Sequence, residues 1–209
     1  MEIRTSLSHL FSLRRTLVQL HLDLFKVHSK FQYDFADPLT DLERLVLILE
    51  DRRFFEHHGI DVISCVRELW RAVTLRRFGG ASTIDMQFVR TATGYRHKTL
   101  RRKLYEMLLA WIIQYRYNKF EILRSYLACA YFGSHLYGVE RAARTVFNMS
   151  SHLLTFDQSA ELAAMLVYPC PLVPTPEWRG KVRGRADYAK RFYPRLKKRF
   201  QKLPSPELV

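Results

Sequence analysis

The 209-residue chain is short of cysteine, of acidic residues and of long apolar runs, and each shortage removes a class of protein. Its three cysteines, Cys65, Cys129 and Cys170, are an odd number, widely separated and each in apolar context. They support neither a disulfide framework nor a cysteine metal site, and are expected as small buried side chains. The best N-terminal stretch without charge, Thr16 to Leu22, is seven residues long, where a membrane-spanning helix needs roughly 20 apolar ones. Arg14, Arg15, Asp23 and Lys26 interrupt the apolar centre that a secretory signal requires. Acidic residues number 20 against 34 Lys and Arg, a formal charge of +14. That field draws polyanions, whether nucleic acid, an anionic membrane surface or a phosphate-bearing substrate. The charge is diffuse and no nucleic-acid recognition motif accompanies it, so nucleic acid is the poorest of the three. There is no internal repeat, no low-complexity tract and no convincing strand alternation. With 48% hydrophobic and 26% charged residues, the composition is that of a folded domain.

What is present is helical periodicity. Leu7, Leu10, Phe11, Val18 and Leu22 suggest an amphipathic N-terminal helix, expected to pack onto the domain, with lying on a membrane as its other use. Thr40 and Glu43 form a capping-box pair ahead of Leu42, Leu45, Val46 and Leu49, which predicts a helix from Asp41 to Glu50. A second starts near Asp61 with Val62, Cys65, Val66, Leu69, Trp70 and Val73 along one face. A third starts near Thr99; Leu100, Leu104, Leu108, Trp111 and Tyr115 mark one side, and it turns apolar all round from Met107 to Ile113, the character of a helix buried in the middle of a domain. Further helices are expected at Lys119–Tyr131, Tyr137–Phe147 and Asp157–Val167, and a short hairpin within Phe78–Arg96. Pro169, Pro171, Pro174 and Pro176 make an extended crossing segment, followed by a basic tail with interleaved aromatics, expected as a solvated face. Trp111, Tyr115, Tyr126 and Tyr131 are expected in the core. The fold class is mainly α.

Chemistry concentrates where the first of these helices ends, in Glu50-Asp51-Arg52-Arg53-Phe54-Phe55-Glu56-His57-His58-Gly59-Ile60-Asp61. A carboxylate at a helix C-terminus meets the negative end of the dipole, and burial disfavours its charge further. Both effects raise its pKa toward the range of a general base, and Arg52 and Arg53 oppose them. Adjacent histidines point different ways and no cysteine or further histidine completes a metal set, so His57 is expected to orient the segment. Glu106 shares a helix face with Arg102 and Lys103. Two carboxylates on separate elements, edged by cations and hydroxyls, suit sugar chemistry, either transfer or hydrolysis.

These residues stand in a larger pattern, running from about Leu42 to Pro176, that resembles the bacterial peptidoglycan glycosyltransferase family, as in bifunctional penicillin-binding proteins and monofunctional transglycosylases. The first motif is met by Glu50, Asp51, Phe54, His57 and Gly59. The second appears as Gly80-Ala81-Ser82-Thr83-Ile84 and then Gln87; the third is Arg102-Lys103-Leu104-Tyr105-Glu106. The fourth resembles Lys119, Glu121-Ile122-Leu123, Tyr126-Leu127, Tyr131-Phe132-Gly133 and Tyr137-Gly138-Val139-Glu140. Leu162-Ala163-Ala164-Met165-Leu166 leads to Pro169.

The resemblance implies a lysozyme-like helical domain with a small, partly irregular second lobe. It divides the chain into an N-terminal helical extension (1–38), a catalytic domain (39–178) and a basic C-terminal helix (179–209). It implies an inverting glycosyltransferase, peripheral to the outer face of the bacterial cytoplasmic membrane, that polymerises lipid II. Glu50 is then the general base toward the GlcNAc 4-hydroxyl, and Glu106 lies near the pyrophosphate, which a divalent metal (Mg2+ or Mn2+) and basic side chains stabilise. Asp51, His57, Ser82, Thr83, Gln87, Arg90, Lys98, Arg102 and Lys103 are the implied substrate-binding residues. The implied partners are lipid II, the growing lipid-linked strand, an anionic membrane surface and other cell-wall synthesis proteins. A lysozyme-like hydrolase and a non-catalytic binder of lipid-linked precursor or cell wall are the competing readings. The chain departs from the family pattern at Asp85 and Met86 (usually Thr and Gln), Arg90 (usually Lys), Lys98 (usually Arg), Arg124 (usually an acid), Ala128 (usually Asn) and His135 (usually Gly). Asp85 and Met86 are expected beside the phosphate site.

Overall fold

The computed structural model describes residues 18–30, 38–74, 82–94 and 99–200, and over them the fold is mainly α. Helix α1 covers residues 18–28. The others are α2 (Asp41–Glu50), α3 (Val62–Val73), α4 (Ile84–Thr93), α5 (Leu100–Ile113), α6 (Lys119–Cys129), α7 (Val139–Phe147), α8 (Phe156–Val167) and α9 (Pro176–Phe200), with a short hairpin of β1 (Tyr131–Gly133) and β2 (Leu136–Tyr137) between α6 and α7.

α2 is the axis of the molecule. Leu42, Leu45, Val46, Leu47, Ile48 and Leu49 are all buried, so it is covered nearly all round, by α8 and α9 among others. Its N-terminus is closed as the sequence predicts: Thr40 Oγ1 accepts from Glu43 N and Glu43 Oε2 accepts from Thr40 N. α4 packs against α5 and α6 and forms the second half of the core. α1 docks on α5, where Tyr105 donates to the buried Asp23 carboxylate at 3.0 Å.

The basic C-terminal segment is one long helix. Pro176 opens α9, where a missing N–H costs nothing, and Thr175 caps it by accepting from Trp178 N. Val182, Ala186, Ala189 and Tyr193 recur at helical spacing and are buried, so one face of α9 belongs to the core.

Several expectations are corrected. Within Phe78–Arg96 the described residues 84–93 form α4 rather than a hairpin, because Thr83 caps one end and Gly94, in the left-handed region, terminates the other. The hairpin lies instead at 131–137. α6 stops at Cys129, since Ala130 is extended, and Tyr131 pairs with Tyr137. Its turn passes through His135 at φ 63, and the proline-rich segment after α8 runs alongside, with Cys170 N donating to Phe132 O and Ser134 N to Cys170 O.

α5 is not the middle of the domain. Its apolar stripe faces outward, with Leu100 76%, Leu104 57%, Leu108 43%, Trp111 45% and Tyr115 74% exposed. Its inward face carries Glu106, Leu109, Ala110 and Ile113. α3 is similarly turned, with Val62, Ile63, Val66 and Trp70 exposed. Of the four aromatics expected in the core, only Tyr126 is there. Cys170 is buried, whereas Cys65 and Cys129 are partly exposed, and all three are free thiols.

Candidate active site

The site begins where α2 ends. Glu50 is its last residue, and Asp51 leaves the helix with an extended φ of −156°. Asp51 Oδ2 then accepts twice, from His57 Nε2 at 3.0 Å and from Ile84 N at 3.2 Å. One oxygen thereby ties the end of α2, the following loop and the start of α4. Phe54 fills the loop's underside, fully buried and edge-on to His57. Gly59 closes the loop at φ 80, pressed so tightly on α5 that a Cβ would sit 2.3 Å from Ala110 O. Only glycine satisfies both the dihedral and the space. Thr83 straps the same point by donating to Gly59 O at 2.7 Å, while capping α4 at Met86 N.

Glu50 and Gln87 meet across this junction, Gln87 Nε2 donating to Glu50 Oε2 at 2.8 Å. Behind them Tyr126 Oη donates to Gln87 Oε1 at 3.0 Å. Burial pushes the Glu50 carboxyl above its usual value; the Gln87 hydrogen bond and the Arg185 charge pull it back, and Asp51 adds to the rise. A half-buried carboxylate biased toward holding a proton is suited to general-base work. It opens on a cleft of about 530 Å³ lined also by Arg53, Arg67, Arg71, Ser82 and Arg185. Arg52 also borders the cleft and lies over Tyr188 and Phe192 of α9, 4.7 Å from the Phe192 ring centroid.

Glu106 makes a second centre. Its carboxylate is fully buried; Arg90 Nε and Nη2 donate to its two oxygens at 2.9 and 3.0 Å, and Arg102 Nε lies 3.1 Å from Oε1. Lys103 reaches Ser82 Oγ at 2.7 Å, and its ammonium is held below the usual lysine value, first by burial and then by Arg90. Arg90, Arg102, Lys103 and Ser82 thus form one polar cluster, which can receive an anion. The structure brings together Glu50 with Gln87, and Glu106 with Arg90, Arg102, Lys103 and Ser82. Asp51 Oδ2, His57 Nε2 and Thr83 Oγ1 instead bond within the scaffold. His57 Nδ1 is buried without a hydrogen-bond partner among the described residues, and Lys98 lies outside them.

The departures at 85 and 86 are both fully buried. On α4 Gln87 and Arg90 look to the site, and Asp85 lies about 200° round from Gln87. Asp85 is held by Lys119 Nζ at 3.1 Å from each oxygen and by Gln114, and Lys119 sits 4.3 Å from the Phe54 ring centroid. Burial raises the Asp85 carboxyl, against the pull of Lys119 and then His57. Asp51, His57 and Asp85 offer ligand atoms within 4.8 Å of one another. Lys119 already supplies the positive charge there. Arg124, where an acid is usual, pairs with Glu43 at 3.0 Å. Ala128 and Arg124 line a separate depression of about 920 Å³ with Tyr137 and Arg141.

Two residues go unremarked as site residues in the sequence. Arg185 enters from the tail: its guanidinium donates to Leu49 O at 3.3 Å and its charge reaches Glu50. The signal was the apolar spacing of Val182, Ala186 and Ala189, which makes α9 a packed helix and sets Arg185 beside the buried face. Tyr126 is buried as the sequence predicts, and its hydroxyl is aimed at Gln87.

A family model described as transglycosylase matches residues 25–191. The chain is 34% identical over 153 residues to penicillin-binding protein 1A of Rickettsia bellii, covering 71% of this chain and 19% of that protein. It is 35% identical over 155 residues to a monofunctional glycosyltransferase of Staphylococcus haemolyticus, 70% of this chain and 57% of that one. It is 41% identical over 125 residues to a putative transglycosylase of Cupriavidus necator, 60% and 54% respectively. The chain therefore spans about a fifth of the penicillin-binding protein and just over half of the other two. With most of its length matched, this mainly α chain belongs to the transglycosylase family.

Proposed function

We propose that the chain is a peptidoglycan glycosyltransferase acting on lipid II, with Glu50 as its base. The observation that carries the reading is the Glu50–Gln87 contact at the end of α2, in a cleft rimmed with arginine. Glu50 takes the proton of the GlcNAc 4-hydroxyl, and that oxygen bonds to C1 of the lipid-linked MurNAc. The C1–O bond to undecaprenyl pyrophosphate breaks, and its electrons leave with the pyrophosphate. Arg90, Arg102 and Lys103 are the cations placed to meet the charge that develops there. A metal bound directly by Glu106 does not fit this arrangement, because both carboxylate oxygens are occupied by guanidinium groups. The divalent cation, Mg2+ or Mn2+, accordingly enters the proposal as a counter-ion carried by the pyrophosphate.

The same reading places the chain at an anionic membrane surface on the outer face of the cytoplasmic membrane. No helix among the described residues is long and apolar enough to cross one. Support comes from the outward apolar stripes of α3 and α5, with the exposed Arg101 on the second. Basic side chains near an anionic surface contribute roughly 1 kcal/mol each, and apolar side chains add to them.

The test is gel-based polymerisation of labelled lipid II with Mg2+ or Mn2+, comparing wild type, Glu50→Gln and Glu106→Gln. Polymer from wild type and none from Glu50→Gln is expected; polymer from Glu50→Gln removes the base assignment. Co-sedimentation with anionic vesicles, weakened in a Leu104→Gln/Trp111→Gln protein, tests the surface.

A further inference from the structure

We infer that Tyr126 is a positioning residue for Glu50: its hydroxyl fixes which end of the Gln87 amide the carboxylate meets. This rests on Glu50 being the base. A primary amide has a donor end and an acceptor end that differ little in shape, so Gln87 can bridge its neighbours in two registers. In the first, Tyr126 donates to Gln87 Oε1 and Gln87 Nε2 donates to an ionised Glu50. In the second the amide is turned round, Nε2 donates to the tyrosine oxygen, and Oε1 faces a Glu50 that must carry a proton. The structure holds the first, at 3.0 and 2.8 Å. Tyr126 is 3% exposed, so its O–H has no water to turn to, and only the first register satisfies that donor.

The hydroxyl therefore favours an ionised Glu50, which is the state able to accept a proton, and it does so without touching Glu50. Two charges act on the carboxyl, Arg185 on α9 and Asp51 next in the chain, while Arg90 and the neutral Cys129 thiol lie near the Tyr126 hydroxyl. None of these selects the amide's orientation. Burial raises the Tyr126 phenol well above its usual value, so the hydroxyl keeps its proton across the working range.

Tyr126→Phe in the full chain isolates this role, since it removes one oxygen and leaves the ring in place. The 13C signal of the Glu50 carboxyl, identified by its loss in Glu50→Gln, is titrated in both backgrounds. In Tyr126→Phe its midpoint is expected to move up by about half to one pH unit, the worth of one neutral hydrogen bond. The acid limb of kcat in lipid II polymerisation should move the same way, with KM little changed. A midpoint that stays in place or falls overturns the inference, and a lowered melting temperature alone does not rescue it. If Glu50→Gln still polymerises, the base reading fails on its own, while the carboxyl titration still decides the role of Tyr126.

Discussion

One guanidinium, that of Arg90, holds both oxygens of the buried Glu106, at 2.9 and 3.0 Å. A lysine in this place keeps the charge and loses the fork. Arg90→Ala should lower the unfolding free energy by about 3 kcal/mol, because Glu106 is left with Arg102 alone, and Arg90→Lys by about 1 kcal/mol. Urea denaturation at neutral pH measures both. Equal losses would mean that charge, and not the two-pronged contact, is what matters.

Glu50→Gln should cut polymerisation by roughly 10²–10⁴-fold and raise thermal stability at neutral pH. The sign follows from the raised carboxyl: the folded state binds this proton more tightly than the unfolded chain. Ionised Glu50 therefore costs stability once pH exceeds its folded pKa, and costs none below the ordinary carboxylate value. The stability gain in the variant should shrink as pH falls through the carboxylate range. A gain that persists at pH 3 contradicts the account.

Asp85 and Lys119 should behave as one unit. Asp85→Thr restores the residue usual in the family and leaves the Lys119 ammonium buried without its carboxylate, at an expected loss of about 3 kcal/mol. Lys119→Met should cost a similar amount, and the double variant less than the sum by at least about 1 kcal/mol. Additive losses in a double-mutant cycle would dissolve the pair.

Glu140 has the opposite linkage. The Ser151 amide and hydroxyl, then Arg144 and Ser150, bring its carboxyl down to about 2. A depressed carboxyl adds stability above the unfolded value and loses it as pH falls toward the folded one. Glu140→Gln should therefore lower the melting temperature at pH 7 and differ little from wild type near pH 2. A difference that is constant with pH would show that packing alone is at work.

His135 occupies a left-handed conformation, φ 63, in the β1–β2 turn. Side chains strain there and glycine does not. His135→Gly should stabilise the fold by about 1 kcal/mol by chemical denaturation, and His135→Val should destabilise it.

The helices were readable because local signals carry them. The capping box at Thr40 and Glu43 and the spacing of Leu42, Leu45, Val46 and Leu49 define α2 from Asp41 to Glu50. The direction each helix faces was not readable. Periodicity shows that α5 has an apolar side but not that this side looks outward, and it was the polar side bearing Glu106 that turned in. Asp85 misled for the same reason: two residues from Gln87 along the chain is about 200° round a helix. Arg185 lay in a segment whose charge suggested solvent, and only its packing against α2 brings it to Glu50.

The shared oxygen of Asp51 has a mechanical consequence. Because it grips His57 and the Ile84 amide together, the helix bearing Glu50 and the helix bearing Gln87 are coupled like two leaves fastened at one pin. A motion that widens the cleft at this junction would have to release that pin, and a substitution at residue 51 displaces the base and its amide neighbour together.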